Sequence, residues 1–428
     1  MSIQHQIRAL LVAVMPAAAA LAGDKPEFSG YYKFLLSAAH AEDSYGELGV
    51  ADKDWLFDNF ERFRLKMDYA PRTNIALRAH YEVLAWWGDS VRVQRRLREL
   101  SAETSPLAGA LSPEPRRRFM DLDDVATDDG NFRLSHGLDR LQLRLLSPRT
   151  ELSVGRQAVS WGTGLLWNPT DLFSSFSPTE IDRDEKLGVD VVRLMLYPTY
   201  HTSVDVIAEP LDNDKPYAVR SRDSSLATRM TGHAGEYDLS LCGGSVAGDG
   251  VLGGDFSGYI LNAGFRGEAL YTWVDEADQR DYFRGLVSVD YSFSAPWDPY
   301  LAFEYFYNGL GAGEEADYLE RLSESSVARV FQRGTAFNLG RHYLGSILRL
   351  APASLVQVQA ITLWNILDRG VREFVSVTWS RSDSSEVILS ADVGLGPLGS
   401  EFVGWSKEQA GAEFRTPDLY FLYWKWHF

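Results

Sequence analysis

Residues 57–69 read FDNFERFRLKMDY, and alternate positions in them are made of different materials. The odd positions are Phe57, Asn59, Glu61, Phe63, Leu65, Met67 and Tyr69, while the even ones include Asp58, Arg62, Arg64, Lys66 and Asp68. A period of two is the signature of a strand with one face in apolar surroundings and the other against polar ones. The pattern recurs. In residues 75–85, Ile75, Leu77, Ala79, Tyr81, Val83 and Ala85 alternate with a face holding Arg78, His80 and Glu82. Leu141, Leu143 and Leu145 alternate with Arg140, Gln142 and Arg144; Val287, Val289, Tyr291 and Phe293 alternate with Ser288, Asp290 and Ser292. Residues 356–360 and 386–393 repeat it late in the chain.

A soluble sandwich also alternates, so connection lengths decide. The pattern predicts about 18 strands, within 16–20, and every second connection is tight: 70–73, 147–149, 198–199, 233–235, a turn around Phe265, 294–298, 351–353 and 382–384. Pro, Gly, Ser and Asp in them favour turns. The intervening connections are mostly longer: 39–56, 88–133, 160–187, 210–222, 246–252, 276–281, 311–338, 366–370 and 396–412. Short turns on one side and long loops on the other predict an all-β chain, folded as a transmembrane antiparallel up-and-down β-barrel. Strands of about ten residues cross a bilayer when tilted, and closure removes unpaired edges. Loops 88–133, 160–187 and 311–338 would then be extracellular.

The first residues have the layout of an export signal: Arg8, an apolar run over 9–21, then Ala20-Leu21-Ala22. Cleavage after Ala22 is expected, making residues 1–22 a signal peptide and 23–428 the barrel. The formal net charge of −17 argues against nucleic acid, which needs a concentrated positive surface. The one cysteine, Cys242, has no intrachain partner. No Cys-x-x-Cys-His, Walker loop or His-Glu-x-x-His helix is present, and no cofactor or metal is expected.

Counting back by twos from the last residue gives Phe428, Trp426, Trp424, Leu422 and Tyr420, with Lys425 and His427 between. This resembles the terminal signal of Gram-negative outer-membrane barrels, read by the barrel assembly machinery. With the leader, the alternation and the loop asymmetry, the chain resembles porin-like barrels over essentially its mature length. The resemblance implies residence in the outer membrane, among its lipid and lipopolysaccharide.

It also gives the third long loop a meaning, because the comparable loop of general porins folds into the lumen. Trp161, Leu165, Leu166, Trp167, Leu172, Phe173 and Phe176 would anchor such a loop on the wall, leaving Asp171, Glu180, Asp182, Asp184 and Glu185 in pore water. The other reading is a rim loop. Facing these acids, Arg62, Arg64, Lys66, Arg78, Arg140 and Arg144 form a basic ladder on polar faces, giving a transverse field that selects by charge. The plainer alternative is local pairing with Glu82 and Asp68. In loop 88–133, Arg92, Arg95, Arg96, Arg98 and residues 116–118 would be solvated or would meet lipopolysaccharide phosphates or an acidic partner protein.

Three functions follow. The first is a channel for small polar solutes or ions. The second is a barrel sheath around multihaem c-type cytochromes, as in porin-cytochrome conduits. The third, a barrel enzyme using His201-Thr202-Ser203, suffers from the position of that triplet at a tight turn, so the chain is expected not to be an enzyme.

Overall fold

The computed structural model describes residues 25–40, 54–103, 118–176, 185–212, 215–276, 279–314, 317–406 and 413–428. The signal segment 1–22 and Glu180, Asp182 and Asp184 lie outside the described residues.

The first strands are β1 (Glu27–His40), β2 (Trp55–Arg72), β3 (Ile75–Gly88), β4 (Asp123–Asp129), β5 (Phe132–Ser147), β6 (Thr150–Gln157) and β7 (Val189–Thr199). They are followed by β8 (Thr202–Glu209), β9 (Ser225–Ala234), β10 (Tyr237–Val246), β11 (Asp249–Ile260), β12 (Ala263–Trp273), β13 (Tyr282–Ser292) and β14 (Tyr300–Asn308). The last are β15 (His342–Ala353), β16 (Val356–Asn365), β17 (Val371–Ser382), β18 (Ser385–Leu395), β19 (Gly404–Trp405), β20 (Phe414–Arg415) and β21 (Asp418–His427). Leaving aside β4, β19 and β20, the other 18 pair antiparallel with their neighbours, and β21 closes the ring by pairing both β18 and β1. The fold is a closed, up-and-down barrel.

Period two sorts the wall into two surfaces. Outward positions such as Phe57, Leu241, Val287 and Leu389 are exposed, while inward Lys33, Arg64, Glu304 and Arg372 are buried. Trp55, Trp87, Trp273 and Trp364 ring the long-loop end on the outer face; Tyr197, Tyr291, Trp379 and Trp426 ring the short-turn end. An apolar band between two aromatic girdles suits hydrocarbon flanked by interfaces.

Two connections differ from the sequence reading. Segment 246–252 is a two-residue turn at Ala247-Gly248, with φ of 50° and 90°, so β11 starts earlier than expected. The turn expected around Phe265 sits at Leu261-Asn262, with φ of 51° and 71°, and Phe265 lies inside β12. Left-handed pairs are the hairpin turns that match strand twist. They were hard to see because Gly250, Gly253, Gly254 and Gly258 leave β11 without the side chains that carry alternation. Loop 88–133 also holds unexpected order: a helix, Asp89–Glu103, and β4, which pairs with the part of β5 that β6 does not reach.

At the seam, Gly30 and Phe428 exchange both backbone hydrogen bonds, at 2.9 and 3.1 Å. The Phe428 ring stacks 5.9 Å from that of Phe63. Gly30 is needed because a Cβ there would sit 2.3 Å from the Arg64 carbonyl and 2.6 Å from the Phe428 ring. Deleting Phe428 removes two backbone bonds and its ring contacts with Phe63 and Trp426, together about 2–5 kcal/mol. The temperature at which the compact barrel converts to the unfolded species on gels is expected to fall by several degrees.

Candidate functional site

After β6 the chain turns into the barrel and runs along its inner wall. Trp161, Leu172 and Phe173 pack on Val189, Val191, Ile207, Ala227, Cys242 and Leu270, inward residues of β7 to β12. Farther on, Leu166 and Trp167 pack on Leu286, Ala302, Phe306, Tyr343, Ile347 and Ile361 of β13 to β16. These apolar patches on the inner face form a seat for the loop.

Irregular backbone inside a barrel must find acceptors for its amides. Two wall glutamates provide them. Glu268 on β12 accepts from the backbone N–H of Thr163 (2.5 Å), Gly164 (2.7 Å) and Thr170 (3.0 Å), and from the Thr170 hydroxyl (2.8 Å). Glu304 on β14 accepts from the amides of Leu165 (2.8 Å), Leu166 (3.0 Å) and Trp167 (2.8 Å). The indoles donate as well, Trp161 to Asp205 at 2.9 Å and Trp167 to Asn338 at 2.8 Å. Neither glutamate stood out in the sequence. The available signal was a lone acid among apolar inward neighbours, Leu270 beside Glu268, and Ala302 and Phe306 beside Glu304.

The returning leg of the loop meets the basic strands. Glu185 contacts Lys66 and sits 2.8 Å from Arg64, which also reaches Glu82 at 2.7 Å, Asp139 at 2.5 Å and His80 at 3.3 Å. Asp139 faces inward because β5 bulges between the partners of His80 and Tyr81, so that Asp139 and Arg140 are both buried. Arg140 contacts the Asp139 carboxylate and the Lys186 carbonyl. Arg78 pairs with Asp68 at 2.6 Å and Arg144 with Glu151 at 2.7 Å. Arg62 places its guanidinium carbon 5.6 Å from the Phe60 ring. Asp171 is buried against Lys186, away from water. Tyr420, Trp424, Trp426 and Phe428 face outward, remote from the lumen.

Two more loops enter the same end. Helix Ser325–Gln332 buries Val327 and Val330 against Tyr282, Leu310 and Ala336. Tyr318, Asn365, Asp368 and the Glu401 backbone meet at one point: Asp368 accepts from Tyr318 at 2.7 Å, Asn365 at 3.0 Å and Glu401 N–H at 2.8 Å. Glu401 in turn contacts Tyr343 and accepts from Asn365 at 2.8 Å. Near the short-turn end lies a recess of about 230 Å³ bordered by Lys25, Glu27, Asp68, Arg78 and Arg144.

The loop acids differ in charge state. Burial pushes Asp171 up from 3.8 to about 7, with Lys186 pulling the other way. Burial likewise lifts Glu401 to about 7, partly offset by the Tyr343 hydroxyl. For Glu185, burial pushes upward but hydrogen bonding from Lys66 and the charge of Arg64 outweigh it, holding the carboxyl below its usual value.

Two measurements follow. Glu304→Leu keeps the bulk but leaves three loop amides without their acceptor, at about 1–3 kcal/mol each. Amide exchange at residues 165–167 should accelerate, with the barrel strands still protected. For pH, a raised Asp171 value means that docking takes up a proton; this contribution is complete below about pH 4 and is lost as pH rises through about 7. Loop protection, corrected for intrinsic exchange, should therefore fall between about pH 4 and about pH 7, and fall less in Asp171→Asn.

No family model matches the chain, and no curated protein matches it. Among solved structures, it is similar to a mutant of the Rhodopseudomonas blastica porin at 12% identity and a TM-score of 0.45, over 94% of this chain and 100% of that one. A triple mutant of the same porin gives 11% identity and a TM-score of 0.43, with the same coverage.

Proposed function

We propose that the chain is a porin-like channel of a Gram-negative outer membrane, passing small polar solutes or ions through a lumen narrowed by its own loop. The observation that carries the reading is the clasping of six loop amides by Glu268 and Glu304, which holds residues 163–170 on one wall. The opposite wall keeps half-buried Lys66, Arg78 and Arg144 beside carboxylates, with half-buried Arg62 over the Phe60 ring. A water path bordered by fixed charges of both signs discriminates by charge and dipole. The outer apolar band and its aromatic girdles support lipid as the surroundings. Exposed Arg92, beside Asp89 on the helix after β3, suits contact with lipopolysaccharide phosphates.

The sheath reading fares worse, because Trp161, Trp167 and helix Ser325–Gln332 occupy space that a haem protein would need. The enzyme reading also lacks support: His201 rests on His233, ring centres 6.0 Å apart, and no hydrogen bond joins it to Ser203 among the described residues.

The test is conductance in planar bilayers. Gln157 and Val189 are direct partners across β6 and β7, so a short turn can replace residues 158–188 without moving the wall. That variant should conduct several-fold more than the parent. Neutralising Asp182, Asp184 and Glu185 to Asn or Gln should shift selectivity toward anions, most at low salt, where screening is weak. Equal conductance in parent and loop-deleted protein would sink the proposal. A parent that is silent but co-purifies with haem protein would put the sheath in its place.

A further inference from the structure

Buried guanidiniums in this lumen follow a rule. Arg64 has Glu82 at 2.7 Å, Arg156 has Asp190 at 2.8 Å, Arg333 has Glu209 at 2.8 Å and Arg372 has Asp392 at 2.6 Å. Arg284 on β13 departs from it. Its side chain is as deeply buried, the residue being 4% exposed, yet its polar contact is a neutral one, from Nη1 to the Thr335 carbonyl at 2.7 Å. The guanidinium also lies 5.8 Å from the Tyr282 ring centre. Among the described residues no carboxylate lies within ion-pair distance of it, and its Nε–H has no acceptor. Glu268 on the adjacent strand is within electrostatic range, but its two oxygens already serve four loop donors.

Arg284 borders two small cavities, of about 20 and about 30 Å³. The larger also takes Arg329 and Arg333 into its lining, and the Nε–H of Arg333 is a second buried donor without an acceptor. One acid, Asp249, faces the same space; it is held by the Asp275 amide at 3.0 Å and lies 3.8 Å from Arg329. Of the three guanidiniums around this space, Arg333 keeps Glu209 at 2.8 Å and Arg329 keeps Glu276 at 3.2 Å, so the charge without a carboxylate in contact is that of Arg284, beside a space fit for one or two water-sized species. Water would satisfy the hydrogen bonds but would leave Arg284 with Glu268 as its nearest counter-charge among the described residues, across a strand and out of contact, whereas the other buried guanidiniums touch theirs.

We propose that Arg284 and Arg333 form a buried site for a monoatomic anion of chloride's class, joining the β13 wall to the helix that ends at Gln332. Phosphate or a carboxylate ligand is too large for the space. The ion would fix the helix Ser325–Gln332 and the Arg333 that follows it to the wall, much as Glu268 and Glu304 fix the loop after β6. The site stands whether or not the lumen conducts.

Crystals of the full-length parent grown in bromide should show an anomalous peak between Arg284 and Arg333. In detergent, the unfolding midpoint should be several degrees higher in sodium chloride than in sodium gluconate of equal ionic strength, and Arg284→Met should abolish the difference. A site holding only water, with bromide bound elsewhere, overturns the proposal. So does a carboxylate from residues 177–184 lying on Arg284, or an equal midpoint in both salts. The bromide experiment uses the parent, so it decides the matter even if Arg284→Met fails to assemble.

Discussion

An irregular segment packed on the inner wall of a closed barrel has to hand the amides it turns to that wall to something, because neither a strand partner nor water is there to accept them. Glu268 and Glu304 meet that demand for residues 163–170, and much else follows from where they stand. They lie on β12 and β14, so the loop is drawn away from β6 and laid across the apolar inner faces of β7 to β16. The indoles of Trp161 and Trp167 then find Asp205 and Asn338. Side-chain packing alone would leave those amides orphaned; the carboxylates alone would have nothing to seat them.

This arrangement divides the interior by chemistry. One side carries apolar patches covered by loop, with Glu268 and Glu304 set among them. The other, from β17 around to β6, keeps its charges but neutralises them in pairs: Arg372 with Asp392, Lys425 with Glu386, Arg64 with Glu82 and Asp139. The loop contributes to that balance, since Glu185 reaches back to Arg64 and Lys66. A single segment therefore packs on one wall and completes the electrostatics of the other.

The strands were legible because alternation is local and repeated; all 18 lie close to where residues such as Phe63, Leu143 and Val287 place them. The β10–β11–β12 turns were not, since glycines erased the period and the left-handed pairs Ala247-Gly248 and Leu261-Asn262 carry only weak turn chemistry. The charge partners were half legible. Asp68 and Glu82 are opposite Arg78 and Arg64 by simple strand register, whereas Asp139 enters through a bulge that no alternation pattern announces. Glu268 and Glu304 were beyond reach for a different reason. Their role depends on a loop between 98 and 139 residues earlier in the chain, and on which wall that loop chooses.

The seam between β1 and β21 has a kinetic meaning. Every other pairing in the barrel wall links successive members of the 18 wall strands, with β4, β19 and β20 set aside, whereas this one brings Tyr31 to His427. Until it forms, the sheet is an open ribbon with two bare edges, and such edges invite pairing with other chains. Non-local pairings are also the slow ones, since loop closure costs entropy before contact repays it. The last strand is thus a clasp as well as a wall element, and the interval before it shuts is when the chain is most exposed to misassembly.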